Sequence, residues 1–290
     1  MSSAPALRSR PDLCPGVRRP WPADDGALVR LRLAGGQISA ASLVAIGEVA
    51  ARFGDGEVHL TGRANVQLRA LPYADAETRT ELAPEVVAAI AATGLLPSRS
   101  HELARNLMAS PQSGLAGGRA DLRPLVRDLD RQLCADPALA DLPGRFLVVL
   151  DDGRGDLVER PCDLGLVALD PASCQLRVGG HYGEVLATAD APARLVQLAR
   201  AFVSARGDRP GAAWHVAELG IPLAEAHPPD PRVPSPTPPL PSGRVPGGAH
   251  VVVPDGVLDR TAIAGLAAAA PHLVVTPWRG VLVPATEAVA

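Results

Sequence analysis

The sequence predicts an α+β fold in which two similar units of strands and a helix flank a different α+β domain. Three observations predict it. Val58 and Leu60 alternate with His59 and Thr61, and Val66, Leu68 and Ala70 alternate with Asn65, Gln67 and Arg69. Two strands therefore meet around Gly62-Arg63-Ala64 with one apolar and one polar face. Just upstream, Leu43, Ile46, Val49, Ala50 and Phe53 fall on one helical stripe. The same order of strand, helix and hairpin returns after a proline-rich run, the mark of an internal repeat.

Composition bounds what such a fold can do. A chain of 290 residues with 47% hydrophobic content holds two domains or a set of repeated units, with ample core. A net charge of −3 gives no electrostatic case for nucleic acid. The start, MSSAPALRSRPDLCPG, lacks the apolar core of a signal peptide, and no run approaches a membrane span. A cytoplasmic protein with neither a nucleic-acid nor a membrane partner is expected. All 28 basic residues are arginine, which with abundant Ala, Gly and Pro fits a GC-rich coding bias; an arginine is then no evidence by itself for fork geometry. The two asparagines, Asn65 and Asn106, each follow closely after an arginine, Arg63 and Arg105. Four cysteines, at 14, 134, 162 and 174, form no C-x-x-C pair and read as isolated thiols, so no metal site is expected.

Residues 1–21 are a polar, proline-rich leader with a turn at Cys14-Pro15-Gly16. Residues 22–98 form the first unit. Ala27 to Leu33 is a strand with Arg30 and Arg32 on one face, Gly35-Gly36 breaks it, and Ser39 caps the helix that Gly54-Asp55-Gly56 stops. After the hairpin, Pro84 and Gly94 bracket a second helix, which completes a ferredoxin-like half.

Residues 99–226 form an α+β domain. Arg105 to Pro111 runs into Gly114, Gly117 and Gly118 as a loop. Asp121 caps a helix with Leu122, Leu125, Val126, Leu129 and Leu133 inward. Leu142-Pro143-Gly144-Arg145 leads into a strand from Phe146 to Leu150, closed by Asp151-Asp152-Gly153. Strands near 164–169 and 174–178 precede Gly179-Gly180, and Pro192 starts a helix with Leu195, Leu198, Ala199 and Phe202 inward.

Residues 227–247 are a linker: eight prolines between His227 and Pro241 favour a stiff polyproline II spacer. Residues 248–290 are the second ferredoxin-like half, in which Trp278-Arg279-Gly280 takes the place of Gly62-Arg63-Ala64. Two such halves can pair about a pseudo-twofold axis and offer a groove. A hairpin displaying Arg63, Asn65, Gln67 and Arg69 suits an anion, although the same pattern also fits a hairpin merely wetted on one face.

Four motifs carry a resemblance: Cys14-Pro15-Gly16; Leu60-Thr61-Gly62-Arg63-Ala64-Asn65-Val66-Gln67-Leu68; Arg105-Asn106 with Ala109-Ser110-Pro111 and Gly114; and Leu142-Pro143-Gly144-Arg145-Phe146 with Asp151-Asp152-Gly153. Together they resemble the nitrite/sulfite reductase superfamily. The Cys-Pro-Gly opening and the Asp-Asp-Gly-Arg-Gly-Asp run look most like its precorrin-3B synthase branch, in cobalamin biosynthesis. The resemblance implies two ferredoxin-like half-domains flanking a nitrite/sulfite reductase-type α+β domain. It also implies an oxidoreductase that hydroxylates precorrin-3A with molecular oxygen and closes a lactone.

By motif position the family's anion-binding arginines fall at Arg63, Arg105 and Arg145, with Asn65, Arg69 and Asn106 beside them and Arg279 a weaker candidate; catalytic residues are not assigned. Leu147 stands where the reductases carry a lysine, which favours the corrinoid branch over sulfite or nitrite. The expected ligand is a carboxylate-rich tetrapyrrole, precorrin-3A, since several arginines can each pair bidentately with a carboxylate. Arg105 and Arg145 fit structural salt bridges equally well.

Full-length members typically bind a 4Fe–4S cluster, with sirohaem in the reductases, through C-x5-C and C-x3-C pairs in a second reductase domain. The present sequence stops before that domain and its cysteines do not match. The expectation is that this chain binds no cofactor alone and works with a separate cluster-bearing subunit. The alternative is a non-catalytic tetrapyrrole-binding or assembly protein.

Overall fold

The computed structural model describes residues 12–208 and 211–285. Most of the expected leader, residues 1–11, and the last five residues of the second half lie outside the described residues. In chain order come β1 (Trp21–Ala23), β2 (Gly26–Leu31), β3 (Gln37–Ser39), α1 (Ala40–Phe53), β4 (Val58–Leu60), β5 (Val66–Leu71) and α2 (Pro84–Ala92). Then follow β6 (Leu107–Ala109), α3 (Arg123–Ala135), β7 (Val148–Asp151), β8 (Leu164–Ala168), β9 (Ser173–Val178), β10 (His181–Ala187) and α4 (Ala191–Arg206). The last are β11 (Gly243–Val245), β12 (Gly248–Val252), β13 (Val257–Leu258), α5 (Arg260–Ala269), β14 (His272–Val275) and β15 (Gly280–Pro284).

The chain divides into two compact units, one of residues 13–102 with 239–290 and one of residues 103–238 with Asp12. The first unit contains two five-stranded sheets of matching order, β1-β2-β5-β4-β13 and β11-β12-β15-β14-β3. Each sheet takes its fifth strand from the other segment: β13 pairs antiparallel with β4, and β3 with β14. This exchange locks the two segments into one core that includes Leu31, Ile46, Leu68, Leu258 and Leu273. The helix entries also correspond. Ser39 caps α1 by accepting from Ser42 N at 2.9 Å, and Asp259 caps α5 by accepting from Ala262 N at 2.7 Å.

The repeat is offset by one residue from the expected correspondence. Ala64 N donates to Thr61 O and Thr61 N to Asn65 O, while Arg279 N donates to Thr276 O and Thr276 N to Gly280 O. Ala64 and Arg279 both have φ 56°. Arg63 therefore corresponds to Trp278, and Arg279 to Ala64. The two threonines fix the turn; the arginine common to both tips does not.

The second unit holds one sheet of order β10-β9-β8-β7-β6, parallel across β6, β7 and β8 and antiparallel thereafter. The helices α3 and α4 bury Leu125, Val126, Leu129 and Leu133, and Leu195, Leu198, Ala199 and Phe202. Phe146 meets Phe202 with ring centroids 4.8 Å apart. Three local expectations are corrected. Leu107–Ala109 is a buried strand rather than loop, β10 follows Gly179-Gly180, and Asp121 lies one residue outside the cap position at Leu122 while still accepting from Arg123 N at 2.9 Å.

The proline-rich run is not a free spacer. Gln175 Nε2 donates to Pro228 O at 2.9 Å, Asp230 N to Gln175 Oε1 at 2.8 Å, and Thr237 N to Gly155 O at 3.0 Å. Arg232 pairs with Asp170 at 2.6 Å. A chain poor in N–H donors is held here by those few it keeps and by its carbonyls.

Candidate functional site

The hairpin places Arg63 at a half-buried turn position between β4 and β5, as its sequence pattern requires. Asn65 does not face solvent. It is 1% exposed, and its Oδ1 accepts from Leu33 N at 2.9 Å, which braces the end of β2 against the turn. Arg69 sits farther along β5 and pairs with Asp25 at 3.1 Å on an exposed surface. The Cys14-Pro15-Gly16 turn is an anchor: Arg32 Nη1 donates to Pro15 O at 2.9 Å, and Glu102 accepts from Val17 N and Arg18 N at 2.6 and 2.8 Å.

In the other unit Arg105 and Asn106 also turn inward. Arg105 is 6% exposed and forks onto Asp130 of α3, with Nε and Nη2 at 2.6 and 2.8 Å. Burial works to lower the Arg105 pKa, but the Asp130 carboxylate outweighs it and raises the guanidinium above its ordinary value. Asn106 is buried and donates from Nδ2 to Gly144 O at 2.6 Å. These two side chains hold β6 to α3 and to the turn before β7.

Arg145 differs. Its side chain is 48% exposed, its guanidinium lies over the Trp214 ring at 5.1 Å, and Asp12 Oδ1 stands 3.8 Å from Nε. The neighbouring loop carries a residue pair that spacing could not reveal. Buried Asp163 accepts from Leu147 N and Val216 N, both at 2.8 Å, and lies 3.2 Å from His215 Nδ1. A carboxylate on Nδ1 fixes the imidazole orientation. No sequence signal joins positions 163 and 215; only the fold does.

The Asp151-Asp152-Gly153-Arg154-Gly155-Asp156 run forms a buried charged loop. Asp151 accepts from Gly153, Gly155 and Leu157 amides at 2.8, 3.0 and 2.9 Å, and Asp152 pairs with Arg154 at 2.6 Å. Arg154 also reaches Gln112 Oε1 and Ala116 O, both at 2.8 Å, and Ser110 Oγ donates to Asp156 at 2.6 Å. A Cβ on Gly118 would lie 2.4 Å from Asp152 Oδ2, so the glycine-rich 110–118 segment is shaped around this carboxylate. Burial pushes Asp156 up to about 7, with Asp151 adding to it and the Ser110 hydrogen bond opposing. The three carboxylates lie close enough to share a cation, yet Asp151 is saturated by amides and Asp152 by Arg154, so the loop is better suited to structure than to metal.

The cysteines fit an iron–sulfur cluster poorly. Burial raises the thiol of Cys162 to about 11 and that of Cys174 to about 12, so both are neutral thiols in the metal-free chain. Among the described residues, neither group of side chains close enough to share a metal contains a cysteine. Among the described residues no helix is long and apolar enough to cross a membrane.

Comparison with known proteins places this geometry. Residues 22–83 match the model of the nitrite/sulfite reductase ferredoxin-like half domain. A precorrin-3B synthase from Sinorhizobium sp is 29% identical over 141 residues, which cover 48% of this chain and 28% of that protein. The structure of the Mycobacterium tuberculosis NirA protein superposes with a TM-score of 0.66 at 19% identity, over 90% of this chain and 54% of that one. The chain thus spans about half the length of NirA, and its match to the curated relative is shorter still. Residues 22–83 thus match the nitrite/sulfite reductase ferredoxin-like half domain, the chain shares the fold of the Mycobacterium tuberculosis NirA protein, and part of it is similar to a precorrin-3B synthase.

Proposed function

We propose that this chain is the tetrapyrrole-holding part of a precorrin-3B synthase-type oxidoreductase of cobalamin biosynthesis, acting on precorrin-3A. The observation that carries the reading is the 29% identity to a precorrin-3B synthase over 141 residues. Of the candidate cations, Arg145 is the one best suited to meet a ligand carboxylate, since half of its side chain is exposed and Trp214 supports its charge from one face. Arg63, on its hairpin, is the second. Arg105 serves the reading indirectly, by fixing the strand that leads to the site. Hydroxylation would take one oxygen atom from molecular oxygen, the other leaving as water with electrons and protons from a reductant, and a cluster-bearing partner subunit would relay those electrons.

A second reading, a non-catalytic tetrapyrrole-binding or assembly protein, is favoured by the cysteines, none of which joins a group of described side chains close enough to share a metal. One experiment addresses both. Precorrin-3A is titrated anaerobically against the purified chain, then exposed to oxygen and a reductant. Saturable binding is expected under either reading. Oxygenated lactone formed by the chain alone would remove the need for a partner, and no binding at all would sink both.

A further inference from the structure

We propose that Asp55, Glu57 and His59 form a site for a zinc-class divalent metal ion at the C-terminal end of α1, independent of any tetrapyrrole. The three side chains come together where the chain turns at Gly56, φ 88°, and enters β4, with Glu57 N donating to Asp55 Oδ1 at 3.0 Å. Each offers one ligand atom, and the three atoms lie within 4.8 Å of one another. His59 Nε2 is 2.8 Å from Asp55 Oδ2, so two of the ligands are already in contact. An imidazole added to two carboxylates is a nitrogen–oxygen donor set, which suits zinc, cobalt or nickel better than calcium or magnesium.

The frame is held from behind. Val58 and Leu60, which flank His59, are buried, and β4 is paired on both sides, by β5 and β13. Asp55 N donates to Arg69 O, and Gly56 N to Ala50 O, which pins the loop onto the last turn of α1. The carbonyl end of that helix carries partial negative charge and favours a cation. Three protein ligands leave room for water, as in an open site.

The chain contains its own control. Asp75 and Glu77 repeat the Asp-x-Glu spacing and the same turn, with Glu77 N donating to Asp75 at 2.8 Å, but Arg79 stands at the position that His59 holds in the first motif. Zinc chloride is titrated calorimetrically into the whole chain, into His59→Ala, into Asp55→Asn with Glu57→Gln, and into Asp75→Asn with Glu77→Gln. The last should bind one zinc ion as the unaltered chain does, and the first two variants should bind at least tenfold more weakly. Far-UV circular dichroism confirms the fold of each, and loss of affinity in both the His59 and the Asp55/Glu57 variants with an intact fold supports the assignment. No stoichiometric zinc binding by the unaltered chain, or equal affinity in the His59 or Asp55/Glu57 variants, would overturn it.

Discussion

A methyl group on Gly36 would stand 2.2 Å from the carbonyl oxygen of Val275, a residue 239 positions away in the other half of the repeat. Gly36 has φ +72° and leads into β3, the strand exchanged onto β14. The same arrangement recurs at Gly256, φ +73°, whose Cβ would lie 3.1 Å from Leu60 O at the start of β13. The close approach of backbone to backbone leaves no room for a side chain, and the left-handed conformation adds strain to any that is placed there.

Gly36→Ala is therefore expected to destabilise the protein by about 2 kcal/mol or more, because the Val275 carbonyl is backbone and cannot swing aside. Urea unfolding checks this. A change below about 0.5 kcal/mol would mean that the exchange tolerates a shift of the two strands.

Arg105→Ala and Arg145→Ala should part company. Removing Arg105 leaves the partly buried Asp130 without its fork and should cost about 3–5 kcal/mol of stability. Removing the half-exposed Arg145 should change stability by no more than about 0.5 kcal/mol. Thermal melts of both variants decide between structural and surface roles; equal losses would contradict the division.

Asp156 predicts a pH dependence. Its folded-state value near 7 exceeds that of an unfolded carboxyl, about 4. Between those values the folded protein keeps a proton that the unfolded chain releases. The resulting stabilisation is fully present below pH about 4 and is lost as pH rises through about 7, at up to about 1.4 kcal/mol per pH unit. Asp156→Asn keeps an acceptor for Ser110 and removes the titration. Unfolding free energies across this range should fall less steeply in the variant than in the parent protein, and parallel curves would remove Asp156 as the cause.

Much of this was legible in the residues. The stripe Leu43, Ile46, Val49 and Ala50 gave α1, and the alternation across Thr61 to Asn65 gave the hairpin, because burial on one face imposes a period. The exchanged strands β3 and β13 were not legible: two or three residues carry no period, and their pairing is decided by partners 198 to 237 positions distant. The one-residue shift at the turn tip escaped for a related reason: matching Arg279 to Arg63 conflicts with the pairing of Thr276 with Thr61 that the preceding strands share. At the site, the protein partners of Asn65, Arg105 and Asn106 were not legible, because motif position does not tell which way a side chain turns. Whether Arg105 meets a ligand or Asp130 depends on where α3 lies, which the spacing of 25 residues does not encode. His215 and Asp163 were missed on the same ground.

The most direct measurement is quenching of tryptophan fluorescence by uroporphyrin, a carboxylate-rich tetrapyrrole, since Trp214 lies beneath Arg145. One charge-assisted contact contributes about 1.5–3 kcal/mol, or roughly a tenfold to hundredfold change in affinity. Saturable quenching of the unaltered chain, weakened at least about tenfold in Arg145→Ala and unchanged in Arg69→Ala, is the predicted result. Absence of saturable binding, or equal affinity in Arg145→Ala, would contradict the assignment of this chain as a tetrapyrrole holder.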